Sequence, residues 1–266
     1  MQLDFHKMEG AGNEILIVDQ RVADPVLPDV KVLNELRRAT AARPFDQLMW
    51  LNHPEKSDAV ASYRVFNIDG SEVEQCGNGV RCVATLLASQ DSDLPSEFIL
   101  ESPAGRIVAR VMNDTRAAVS MGVPEFNDGI TDLVINGRSV EVRLVSMGNP
   151  HCVLDVDDVQ SADVTGLGPR IETHVRFPDR INVGFMQIVD HRNIKLRVHE
   201  RGAGETLACG TGACAAVASG HRRGLLDDIV TVQLPGGQLV VSWRGASDSI
   251  WLSGDVTYIG EGTIDL

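Results

Sequence analysis

Basic charge, aromatic rings and long apolar runs are all scarce in this 266-residue chain. Lys and Arg number 24 against 37 Asp and Glu, for a net charge of −13. Nucleic acid and anionic membrane surfaces would be repelled, so neither is expected as a partner. Apolar runs never reach the length of a membrane-spanning helix, and Asp4, His6, Lys7 and Glu9 leave no room for a signal-peptide core in the first ten positions. The cysteines number five and no two are spaced C-x-x-C. Reduced thiols in a cytoplasmic protein are therefore expected, rather than a disulfide framework or a zinc site. Lysine is confined to Lys7, Lys31, Lys56 and Lys195, none beside a phosphate-type loop, which disfavours a Schiff base to pyridoxal phosphate. No G-x-x-x-x-G-K-[ST] occurs. Gly210 to Ala215 formally matches G-x-G-x-x-A, but Gly202 to Ala208 does not read as the strand that motif must follow. No cofactor and no metal are expected.

What the chain does contain is one signature twice: Cys76-Gly77-Asn78-Gly79 and Cys209-Gly210-Thr211-Gly212, 133 positions apart (209 minus 76). The same offset pairs Arg64 with Arg197, Val65 with Val198 and Glu72 with Glu205 without gaps. Farther upstream the offset drifts, and Gly12-Asn13 answers Gly148-Asn149. Two repeats of this length are homologous lobes rather than solenoid units.

Short strands dominate. Glu14–Asp19, Asp58–Phe66, Gly105–Met112, Val140–Met147, Ile181–Val189, Ile194–Val198, Val230–Leu234 and Gln238–Trp243 are β-branched or alternating runs bounded by turn residues. Asp29 to Thr40 reads as an amphipathic helix capped by Asp29, and Val80 to Ser89 as a helix with one buried face. Gly212 to Gly220 is small and apolar on every side, so it is expected to run through the middle of a lobe with sheet around it, and Gly224 supplies its stop. The lobe boundary is expected near Ser120, before Gly122 and Pro124.

Each signature cysteine stands where a Gly-rich turn enters an apolar stretch, hence at a helix N-terminus. Free N–H groups and the helix dipole favour a thiolate there, and they also seat a carboxylate. Two such thiols facing one amino-acid α-carbon form an acid and a base. One removes the α-proton, the other protonates the opposite face, and the gathered N–H groups stabilise the charge in between. Titration then belongs to the pair. Cys82, Cys152 and Cys214, each in an apolar run, read as inert core residues.

Four stretches carry a family resemblance: Asn67 to Cys82, Ser146 to Cys152, Ile181 to Phe185, and Glu200 to Gly212 (Glu-Arg-Gly-Ala-Gly-Glu-Thr-Leu-Ala-Cys-Gly-Thr-Gly). They resemble diaminopimelate epimerase. The resemblance implies a pyridoxal-independent enzyme that interconverts LL- and meso-diaminopimelate for lysine and cell-wall synthesis. It also implies a cytoplasmic homodimer with no partner beyond its amino-acid substrate. Its fold is α+β, with two pseudosymmetric lobes, each a β-rich sheet structure around a central helix, and the site in the inter-lobe cleft. Residues 1–119 with 255–266 form one expected lobe and 120–254 the other. By this resemblance Cys76 and Cys209 are the acid/bases. Asn13, Gln47, Asn67, Gly77, Asn78, Asn149, Asn182, Glu200, Arg201, Gly210 and Thr211 contact substrate, and His151 and Glu200 tune the thiols. Arg201 suits a distal carboxylate and Glu200 an ammonium group. A two-thiol racemase of another amino acid, such as proline or hydroxyproline, and a thiol redox switch without catalysis are the rival readings. The chain departs from the family pattern in three places. Glu14-Ile15 follows Asn13 where the family has Asp and an aromatic residue. Ala41 to Phe45 is shorter than the usual Gly-rich loop and is stiffened by Pro44. Tyr258 and Gly260 do not reproduce the aromatic expected at the dimer contact.

Overall fold

Short apolar runs broken by turn residues lay down short strands along the whole chain. A computed structural model describes residues 2–22, 27–73 and 75–265, and among them lie eighteen strands and four α-helices, an α+β architecture made mostly of strand. Two compact units divide it: Met1–Ser120 with Ser253–Leu266, of which Met1 and Leu266 lie outside the described residues, and Met121–Leu252.

In the first unit β1 (Gln2–Gly10) and β2 (Asn13–Gln20) form a hairpin. β3 (Gln47–Asn52) lies parallel to β2, which requires a crossover, supplied by α1 (Val30–Ala39). Asp29 caps α1 by accepting the Val32 N–H at 2.8 Å. Antiparallel to β3 runs β4 (Ala59–Asn67), and β5 (Glu72–Val73) pairs back on it. α2 (Gly77–Gln90) then carries the chain to β6 (Glu97–Ser102), parallel to β4, and β7 (Gly105–Asn113) and β8 (Arg116–Ser120) complete a meander.

The second unit repeats this sequence of pairings. β9 (Glu125–Ile135), β10 (Arg138–Ser146) and β11 (Pro150–Asp155) run antiparallel in turn. α3 (Val164–Glu172) crosses to β12 (Asn182–Asp190), parallel to β11. β13 (Asn193–Glu200) and β14 (Gly204–Thr206) follow, and α4 (Gly210–Arg222) crosses to β15 (Ile229–Leu234), parallel to β13 and paired with β16 (Gly237–Ser242). β17 (Trp251–Asp255) leads to β18 (Thr257–Asp265), which pairs with β1 as β9 pairs with β10. The duplicated arginines keep the same job: Arg64 chelates Glu72 between β4 and β5, and Arg197 chelates Glu205 between β13 and β14 at 2.6 and 2.9 Å.

α2 and α4 are the central helices. Gly210 and Gly212 to Gly220 are buried, as expected of a helix without a polar face, and every residue from Gly77 to Leu87 is buried too, where one buried face was expected. Arg81 is the exception in chemistry: it is fully buried and donates to Asn78 Oδ1 at 3.0 Å. The outer helices bury one side only. Leu33 and Leu36 of α1 pack on Leu16, Val18, Leu48, Trp50 and Phe66, while Val164 and Ile171 of α3 pack on Leu154, Val183 and Phe185. Each expected strand is present with its ends shifted by a residue or two, and α4 stops at Gly224, whose φ is 70°. Both central helices begin earlier than expected, at the glycine after the cysteine. No helix among the described residues is long and apolar enough to cross a membrane.

Candidate active site

Strand order alone gathers the polar residues. In the first unit Asn13 opens β2, Gln47 opens β3 and Asn67 closes β4, and the register Ile15 opposite Gln47 and Gln47 opposite Asn67 sets all three at one edge. In the second unit Asn149 precedes β11, Asn182 opens β12 opposite His151, and Glu200 closes β13, which sets the matching residues at the matching edge.

Cys76 is the N-cap of α2. Its sulfur accepts the Gly79 N–H at 3.2 Å and lies 3.7 Å from Asn13 Oδ1. Asn13 is held by Asp46, whose Oδ2 accepts both Asn13 Nδ2 (3.1 Å) and the Glu14 N–H (2.8 Å). A carboxylate only accepts, so Asp46 fixes the amide with its carbonyl oxygen toward the thiol. Gln47 Nε2 donates to Asn67 Oδ1 at 3.2 Å, and Asn67 Nδ2 to Ser71 Oγ at 3.0 Å. Gly77 and Asn78 form the first buried turn of α2. The fourth signature residue is glycine for steric reasons: a Cβ on Gly79 would lie 2.5 Å from Met49 Sδ, and one on Gly212 would lie 3.2 Å from the Cys209 sulfur.

Cys209 is the N-cap of α4, but no side-chain capping bond forms. It is 4% exposed, and its thiol donates to Glu200 Oε2 at 3.0 Å while Thr206 Oγ1 donates to the other oxygen at 2.5 Å. Thr211 Oγ1 stands 3.6 Å from the sulfur and accepts Asn149 Nδ2 at 3.3 Å. Among the described residues no hydrogen bond joins His151 to Cys209. His151 reaches the thiol through that chain, its Nε2 lying 3.0 Å from Asn149 Oδ1. Asn182 Oδ1 accepts the Arg201 N–H at 2.9 Å, and the Arg201 guanidinium lies 3.4 Å from the Asp179 carbonyl. Gly210 starts the helix.

The helix N-terminus alone leads one to expect an acidified thiol at both cysteines. At Cys209 the opposite holds: burial, then the Glu200 charge and hydrogen bond, push the thiol well above its ordinary value, outweighing Thr211 and the Gly212 N–H. Cys209 therefore carries its proton. The remaining thiols, Cys82, Cys152 and Cys214, are fully buried, and burial pushes Cys82 up to about 12.

His151 is 1% exposed, and burial, helped by the Arg201 charge, holds it down at about 3. The neutral ring donates through Nε2, because Asn149 presents its carbonyl oxygen there and spends Nδ2 on Thr211. In the unfolded chain an imidazole protonates near 6.5. Between that pH and about 3 the unfolded state binds a proton that the folded state refuses, so acid favours unfolding by about 1.4 kcal/mol for each unit crossed. Urea midpoints at pH 7 and pH 4.5 should fall less for His151→Gln than for the parent. Equal falls would show that His151 is not the group responsible.

The short loop of the first unit is anchored. Lys7, 6% exposed, donates to the carbonyls of Arg43 and Pro44, Arg43 pairs with Glu14 at 2.5 Å, and Phe45 enters the core. Sequence reading passed over two residues that hold site side chains, Asp46 beside Asn13 and Thr206 beside Glu200, and the buried pair Glu172 and His199. Only the side chains they meet in the fold reveal them. Among the described residues no group of three or more His, Cys, Asp or Glu is placed to hold a metal ion.

This fold is shared with solved isomerases of low identity. A hydroxyproline epimerase from Agrobacterium vitis with bound trans-4-hydroxy-L-proline superposes with a TM-score of 0.73 over 99% of this chain and 91% of its own, at 17% identity. The likeness at this identity defines a fold class, and in this chain each unit sets a cysteine at the N-terminus of a buried helix. Sequence narrows the class: the diaminopimelate epimerase family profile matches residues 5–127 and 143–259. The chain is 41% identical to the diaminopimelate epimerase of Acinetobacter baumannii (strain AYE), covering 100% of this chain and 98% of that one. Identity is 44% to that of Thioalkalivibrio sulfidiphilus, covering both chains fully. The chain belongs to the diaminopimelate epimerase family.

Proposed function

We propose that this protein interconverts LL- and meso-diaminopimelate without pyridoxal phosphate, with Cys76 and Cys209 acting on opposite faces of the α-carbon. The observation that carries the reading is the matched setting of the two thiols, each at the N-cap position of a buried glycine-opened helix beside a polar strand edge. In the free enzyme Cys209 is the proton donor, its S–H resting on Glu200, and Cys76 is the base. The Cys76 thiolate takes the α-proton, the electron pair stays on carbon beside the carboxylate seated at the helix N-termini, and the Cys209 S–H protonates the other face. One thiol and one thiolate remain, exchanged. Asn13, Gln47, Asn67, Asn78, Asn149, Asn182 and Thr211 supply amide and hydroxyl contacts, Gly77 and Gly210 supply backbone N–H groups, Arg201 takes the distal carboxylate and Glu200 an ammonium group. His151 sets the Asn149 amide. The enzyme works in the cytoplasm as a homodimer, away from membranes and nucleic acid, consistent with its −13 charge.

The test is incubation of LL-diaminopimelate in D₂O without added pyridoxal phosphate, followed by mass spectrometry and chiral separation. Formation of meso product with one solvent deuterium at the inverted centre is the expected result. Exchange with proline or hydroxyproline but not with diaminopimelate would transfer the protein to the rival substrate, and no exchange with any amino acid would leave only the redox reading.

A further inference from the structure

Neighbouring residues of a strand face opposite ways, so while Glu200 at the end of β13 meets Cys209, His199 points under α3. There it is 6% exposed, and its Nε2 lies 2.8 Å from Oε2 of Glu172, the last residue of α3. The other oxygen of Glu172 accepts the Gly202 N–H at 2.8 Å, with Arg180 Nη1 3.6 Å away at the surface. One buried carboxylate thus holds the strand end through His199 and the following turn through its backbone. α3 gives way sterically to make this possible: a Cβ on Gly168 would lie 2.7 Å from His199 Cγ.

The first unit fills the corresponding place without charge. The 133-residue offset carries His199 to Phe66, which packs against Leu33 and Leu36 of α1. Apolar residues of similar volume hold elements together at least as well as a buried ion pair, whose desolvation offsets its attraction. Packing alone therefore does not account for Glu172 and His199, and the bond to Gly202 does.

We propose that Glu172 and His199 are positioning residues that fix the Glu200–Gly204 turn, keeping the Glu200 carboxylate on Cys209 and the Arg201 backbone on Asn182. The proposal rests on the reading of Cys209 as an acid/base governed by Glu200. It concerns a turn that the thiol feels even without substrate, so it is tested on the free, full-length protein by site-resolved alkylation with iodoacetamide, alongside turnover of LL-diaminopimelate.

In Glu172→Ala the turn loosens, Glu200 leaves the sulfur, and Cys209 alkylates faster by on the order of tenfold, the factor for a one-unit fall in thiol pKa at a pH below it. Cys76 keeps its rate and serves as the internal reference, and kcat falls by a similar factor with a smaller change in KM. The double variant Glu172→Leu with His199→Phe, which copies the apolar solution of the first unit, keeps the fold by packing and shows the same two changes. Glu172→Gln retains an acceptor for the Gly202 N–H and stays near the parent, which separates position from charge. Unchanged Cys209 alkylation in the folded double variant overturns the proposal, as does Glu172→Gln behaving like Glu172→Ala. Failure of the parent to turn over diaminopimelate, with the alkylation changes intact, counts against the functional reading and not against the anchoring of the turn.

Discussion

Replacing either Cys76 or Cys209 by alanine is expected to remove epimerisation, with kcat falling by on the order of 10³-fold or more, because a positioned proton donor or acceptor is worth roughly 10²–10⁴ and each face of the carbon has only one. The two variants differ in stability. Cys76 caps α2 through the Gly79 N–H at 3.2 Å, and losing a cap of this kind costs about 1 kcal/mol. Cys209 forms no side-chain capping bond at α4, so Cys209→Ala is expected to cost the start of its helix less. Coupled assays of meso product and urea unfolding of both variants check the two halves. If one alanine variant turned over LL-diaminopimelate at the parent rate, the two-base scheme would fall, since in that scheme the one remaining thiol can only return a proton to the face it came from, with retention of configuration. Serine at either position should not restore the rate, because a hydroxyl is too weak an acid to exist as alkoxide at neutral pH.

Much of this was legible in the sequence for a physical reason. Duplication leaves the same residues at the same offsets, and Arg64–Glu72 and Arg197–Glu205 show that the offset preserved contacts as well as letters. The all-round apolar run in Gly212 to Gly220 declared a buried helix, and the Gly-rich entries to both signatures declared N-termini. α3 was missed because Gly166, Gly168 and Pro169 weigh against a helix, while the reason for Gly168 lies 31 residues on, at His199. Arg81 was illegible too: a charge at that position reads as solvent-facing, and only the wrapping of sheet around α2 buries it. The acidity of Cys209 was read in the wrong direction because the helix terminus is a local feature of sequence, whereas burial and the approach of Glu200 are products of the fold.

That last correction leads to the second large effect. The offset of 133 that superimposes the cysteines also superimposes Asn67 on Glu200, so the two strand edges differ at this place by one negative charge. In the first unit a neutral amide ends β4, held by Gln47 and Ser71; in the second a carboxylate ends β13, held by Thr206 and in contact with the thiol. Burial also raises Cys209, but Glu200 is the charged group among the causes. Glu200→Gln keeps the size and the bond from Thr206 while removing the charge, which makes the second unit resemble the first. The thiol should then ionise more easily, so the pH midpoint for alkylation of Cys209 moves down, by about one unit for loss of a part-buried charge in contact with it. Easier ionisation deprives the proposed donor of its proton in the resting state. kcat/KM for LL-diaminopimelate is expected to fall by on the order of 10²-fold, with a narrower pH range, because a matched pair of thiols no longer divides one proton unequally. A Glu200→Gln protein whose Cys209 alkylation midpoint stays where it was would show that burial alone sets the thiol, and the source of asymmetry between the two units would have to be sought elsewhere than at residue 200.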